Sequence, residues 1–178
     1  MTKSLPPQGR LQSLSEEIAN SVSSAIGLLA VITAIPFLIA SASQRGSELS
    51  LVGAIIFAAA MAALYLTSTI YHALPAGKTK RLFRLFDHSA IYLLIAGTFT
   101  PFALGALRSV WSWTLFAALW CLAIIGIGLK FFGGLRYRSL SILWYVGMGW
   151  MALFAIRLFW LRVGFFKPEP RQEILNAK

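Results

Sequence analysis

The chain is 178 residues long, 58% hydrophobic and 12% charged, with a net charge of +10. Soluble domains run nearer to roughly 45–50% apolar and about 25% charged, and one of this length has too little interior to hide the excess. A water-exposed globule is excluded, and with Cys121 as the single cysteine so is an internal disulfide or a multi-cysteine metal site.

A polar segment, 1–17, precedes five apolar stretches at about 18–43, 49–72, 88–107, 109–129 and 139–156. None of them contains Asp, Glu, Lys or Arg. A helix crosses the hydrocarbon core with about 17–25 such residues, so each stretch is long enough for one crossing. Lipid admits only helices or closed barrels, and no stretch alternates as a barrel strand does. The predicted fold class is therefore all-α, a polytopic membrane bundle of five transmembrane helices. The first stretch exceeds the apolar core of about 7–15 residues of a cleavable signal, which predicts a retained anchor. Pro36 and Pro101 lie inside stretches, where neighbouring helices tolerate a kink. The organisation expected is a tail over 1–17, a membrane domain over 18–156 and a basic tail over 157–178.

Loop charges predict the orientation. Lys3 and Arg10, then Lys78, Lys80, Arg81 and Arg84, then Lys130, Arg136 and Arg138 place nine positive charges on one side. Arg45 and Arg108 place two on the other. The positive-inside rule puts the N-terminus in the cytoplasm. Trp111 and Trp113, just after Arg108, fall at the depth of an outer aromatic belt. The C-terminal tail is discordant. Five crossings place it outside, yet it carries Arg157, Arg162, Lys167, Arg171 and Lys178. In a membrane chain a basic balance reads first as topology and lipid attraction. Residues 78–84 are expected to anchor to anionic lipid, and no nucleic-acid partner is expected.

The chemistry-bearing residues sit where spans meet that same side. Ser68 and His72 are four apart, hence one turn apart on one helical face. Asp87 is read as opening the next helix, with His88 beside it. A histidine, a carboxylate and a hydroxyl converging there could bind zinc, orient its water and hold a substrate. The competing reading is a histidine snorkelling to headgroups and an Asp capping a helix N-terminus. Spacing alone favours the second. Glu16, Glu17 and Asn20 lie at the mouth of the first span. Acids in a first turn, capped by Ser13 or Ser15, complement the helix dipole, and Asn20 is read as an interhelical hydrogen-bonding group. Gly126, Gly128, Gly147 and Gly149 are read as close-packing positions, and Cys121 as inert core.

Ser-Glu-Glu-Ile-Ala-Asn (15–20), Ser-Thr-Ile-Tyr-His-Ala-Leu-Pro (68–75) and Phe-Asp-His-Ser-Ala-Ile-Tyr-Leu-Leu-Ile-Ala-Gly-Thr-Phe-Thr-Pro (86–101) closely resemble the bacterial hemolysin III family. So does Tyr-Val-Gly-Met-Gly-Trp (145–150). That family is related to the progestin and adipoQ receptors and, more distantly, to alkaline ceramidases. The resemblance runs from about Leu14 to about Ile156. It implies a seven-helix membrane domain with a cytoplasmic N-terminus in the bacterial inner membrane. It also implies a zinc held by three histidines: one from a Ser-x3-His motif ending the second helix, and two from a His-x3-His motif on the seventh. The Asp that opens the third helix and the Ser of the first motif support its water. Ser68, His72 and Asp87 match the first part of that pattern, which moves them from the structural to the functional reading.

Two departures follow from the same comparison. Ser24 stands where the family usually has a histidine, and the expected sixth and seventh helices are absent after Ile156. His88, about 100° around the helix from Asp87, is poorly placed to replace two ligands. The expectation is an incomplete zinc site, with weak or no binding by the isolated monomer. Three functions are then in competition: a hemolysin III-like protein on a zinc-dependent amide hydrolase scaffold, a membrane-perturbing cytolysin, and a non-catalytic fragment. Expected partners are membrane lipid and, for an incomplete bundle, a second copy or another membrane protein.

Overall fold

The computed structural model describes residues 13–45, 47–107, 110–133 and 138–164. The expectations resting on Lys3, Arg10, Arg108, Arg136 and the tail beyond Gly164 lie outside them. The described residues form five α-helices: α1 (Leu14–Arg45), α2 (Glu48–Ala73), α3 (Lys78–Pro101), α4 (Val110–Gly133) and α5 (Arg138–Gly164). A π-helical segment, Phe102–Leu107, extends α3. No strand occurs among them, as the unbroken apolar stretches predict. Four of the helices are long and apolar enough to cross a membrane, and this is an integral membrane protein. The apolar stretch of α5 within the described residues is shorter, Ser141–Phe154.

Residues of the N-terminal tail set the start of α1. Ser13 N–H donates to Glu16 Oε2 at 2.8 Å while Glu16 N–H donates back to Ser13 Oγ at 3.3 Å. That reciprocal pair is a capping box, and it satisfies donors the first turn leaves open. Pro36 is accommodated inside α1, which continues to Arg45.

α3 departs from expectation. It begins at Lys78, so the basic segment 78–84 is helix rather than loop, and Asp87 lies in the tenth position instead of opening the helix. The capping reading of Asp87 is thereby removed. Three cations in the first turn oppose the helix dipole, which is why the sequence reads there as a loop. Lys80 relieves this by turning back: its Nζ donates to Leu74 O at 3.0 Å and meets Glu17 Oε1 at 2.8 Å. At its other end, Pro101 has no N–H to give to the preceding turn, and the backbone widens into the π segment directly after it.

α1 packs on α2, α2 on α3, and α3 also on α4 and α5, which makes α3 the central helix. The core is built from Tyr92, Ala96 and Phe99 of α3, Ala103 of the π segment, Leu119 and Ala123 of α4 and Met148 of α5. Small residues let helices approach. A Cβ at Gly53 would lie 2.8 Å from the Pro101 backbone, and one at Gly126 would lie 2.6 Å from the Tyr92 ring. Gly128, Gly147 and Gly149, read as close-packing positions, face open space. Cys121 also differs from its reading: it is exposed on the outer face of α4. Trp111 and Trp113 face outward, in keeping with a belt.

Candidate functional site

The C-terminal turn of α2 ends at the same edge of the bundle as the N-terminal turns of α1 and α3. Between them lies a cleft of about 560 Å³. One wall is apolar, from Leu14, Ile18 and Val22 of α1 and Leu74, Pro75 and Ala76 after α2. The polar end is made by Glu17, His72 and Lys80. Glu17 joins the three elements: Oε2 lies 2.7 Å from His72 Nδ1 and Oε1 lies 2.8 Å from Lys80 Nζ. The His72 and Glu17 side chains are only 12% and 17% exposed, so both contacts are shielded from bulk water. With Glu17 ionised against Lys80, the short bond to His72 requires the imidazole proton on Nδ1. A carboxylate at one ring nitrogen fixes the ring's orientation and leaves Nε2 as its other polar atom. The Tyr71 ring packs against the His72 ring, tilted by 53° with 4.5 Å between centroids, and Lys80 Nζ lies 5.3 Å from the centroid of the Tyr71 ring.

Ser68, one turn from His72 on α2, accepts a 3.1 Å hydrogen bond from Ser24 Oγ of α1. Ser24 is the position at which the resemblance leads one to expect a histidine, so that departure falls directly against a candidate site residue. Ser21 Oγ donates to Thr69 O at 3.2 Å. Ser21 and Ser24 thus supply the α1–α2 hydrogen bonds expected of Asn20, whose backbone carbonyl accepts from Ser23 Oγ at 3.0 Å. Asp87 Oδ2 lies 3.4 Å from Nδ1 of its neighbour His88, and the His88 carbonyl accepts from Tyr145 OH of α5 at 3.0 Å. Of the sequence-derived candidates, then, the structure joins Glu17 to His72. Ser68 is tied to Ser24, and Asp87 to His88.

Lys80 is not among the residues the sequence singles out for function, and Ser24 stands out only as a departure from the family histidine. Lys80 stands eight residues after His72 in a run of like charges that reads as a lipid anchor. Only the helical start of α3 reveals that it is turned back. Ser24 carries no signal of its own.

The sequence model of the haemolysin-III related family matches residues 12–176, running past Ile156, where the motif resemblance stops. Hemolysin-3 of Bacillus cereus is 44% identical over 146 residues, 82% of this chain and 67% of that protein. A Hemolysin-3 homolog of Bacillus subtilis (strain 168) is 44% identical over 144 residues, 81% of this chain and 68% of the relative. The chain thus spans about two thirds of the length of these relatives. No solved structure matches it significantly.

Proposed function

Because the chain belongs to the haemolysin-III related family, we propose that it is a lipid-binding protein of the bacterial inner membrane, built on the scaffold of zinc-dependent membrane amide hydrolases. The observation that carries this reading is the cleft at the edge of the bundle, with an apolar wall along α1 and a Glu17–His72–Lys80 end. An amphipathic molecule fits such a site: chains along Ile18 and Val22, a polar head at Lys80 and at Nε2 of His72. The excess of Lys and Arg at this edge supports a cytoplasmic N-terminus.

The hydrolase scaffold raises the question of zinc, which in a catalytic site takes about three protein ligands. His72, oriented by Glu17, has the form of one such ligand. Among the described residues no three His, Cys, Asp or Glu side chains form a group able to hold a metal. The residues at hand offer one corner of a zinc site, and on this reading Ser68 and Asp87 would take the supporting roles that the family resemblance implies. Elemental analysis of purified protein is expected to give well under one zinc per chain, with little change in His72→Ala. Stoichiometric zinc that is lost in His72→Ala would overturn the incomplete-site reading.

A second reading is cytolysis, which rests on the name Hemolysin-3 carried by the relatives. Dye release from liposomes by the purified chain, absent with matched detergent controls, would favour it. Retention of dye together with saturable lipid binding favours the first.

A further inference from the structure

A second charged centre lies away from the cleft, between α3 and α4. The two helices run antiparallel, and Tyr92 packs against Gly126. One turn toward the N-terminal end of α3 from Tyr92 is His88, and one turn further is Arg84; one turn past Gly126 on α4 is Lys130. The Phe86 and Phe131 rings meet at 5.9 Å and confirm the register. Lys130 was read as a loop cation. It is instead a helical residue with only 4% of its surface exposed.

Among the described residues no carboxylate pairs with this charge. Arg84 Nε is buried without a hydrogen-bond partner, and among the described residues neither Arg84 nor Lys130 forms an ion pair. Their positive charges act on one another. The sequence holds no Asp or Glu between Asp87 and Glu169. Glu17 is engaged by His72 and Lys80, and Asp87 leans to His88. An unpaired buried cation is costly; Lys130 is buried and Arg84, half-buried with its Nε enclosed, stands on the facing helix, so an anion shared by the two would be stabilising. We propose that Arg84 and Lys130 hold a phosphate oxyanion between α3 and α4. The depth suits a phospholipid headgroup, since basic pockets between helix ends take anionic lipid, and the guanidinium offers the planar fork that phosphate oxygens match.

The full chain in a neutral detergent is titrated with short-chain phosphatidylglycerol, phosphatidylcholine of equal chain length and inorganic phosphate, reading the midpoint of thermal unfolding. Phosphatidylglycerol is expected to raise the midpoint saturably. Half-saturation should move at least tenfold upward in Lys130→Met and Arg84→Gln and stay near wild type in Lys130→Arg. If inorganic phosphate saturates the same response and competes with the lipid, the site stands with a free anion as its source. Without ligand, Lys130→Met should unfold no earlier than wild type, because it removes an unpaired buried charge; earlier unfolding makes Lys130→Arg and Arg84→Lys the deciding pair. Equal responses to the two lipids, or half-saturation unmoved by either charge-removing variant, would overturn the proposal.

Discussion

Glu17 is the residue on which the cleft turns, because one carboxylate ties α1 to both α2 and α3. In Glu17→Gln a single amide oxygen replaces the two carboxylate oxygens that face His72 and Lys80. A charged hydrogen bond in a shielded place contributes on the order of 1.5–3 kcal/mol, and unfolding in detergent should show a loss of about that size. Lys80→Met alone and combined with Glu17→Gln should give less than additive losses, since the two side chains share one contact. Strict additivity would mean that the pair contributes nothing. At this scale the sequence was half legible. Glu17, His72 and Ser68 are recognisable from their place in motifs, whereas their partners Lys80 and Ser24 are ordinary residues whose role depends on where α3 begins and how α1 is rotated.

At the scale of elements, apolar stretches located every helix, because lipid leaves few alternatives for so long an uncharged run. The start of α3 was misread by about ten residues for an electrostatic reason. A basic first turn is unfavourable in isolation and becomes acceptable only through Glu17 and Leu74 O, both distant in sequence. Glycines teach the same lesson. Gly126 and Gly147 look alike in the sequence, yet one abuts the Tyr92 ring and the other nothing. Tyr92 is itself held against Tyr145 with 4.4 Å between ring centroids and cannot yield. Gly126→Ala should therefore destabilise by roughly 1–3 kcal/mol through overpacking. Gly147→Ala and Gly149→Ala should be neutral or slightly stabilising, given the gain of up to about 1 kcal/mol for Ala over Gly in a helix. Thermal midpoints in one detergent compare all three directly.

For the whole molecule, the outward faces are predicted to meet lipid rather than water. Cys121 tests this, because it is exposed and lies at the middle of α4. In reconstituted liposomes a membrane-soluble maleimide should label it, while a sulfonated, water-soluble maleimide should not. Fast labelling by the water-soluble reagent would remove α4 from the bilayer. The sequence showed this much of the architecture, an all-helical membrane bundle, from composition alone. What it did not show is the uneven packing of the bundle: polar pairs gather at one edge, and the largest fully buried side chains, Tyr92, Phe99, Leu119 and Met148, lie in α3, α4 and α5.

That inequality bears on how a guest reaches the cleft. α1 lies against α2, and its Ile18, Val22, Ile26 and Leu29 are exposed, the first two along the cleft wall. Its polar contacts near the cleft come from Glu17, Ser21 and Ser24. A helix fastened along one seam behaves as a door set in the lipid itself. On the lipid-binding function proposed above, a hydrophobic molecule would slide in sideways from the leaflet, its head group stopping at Glu17 without crossing open water.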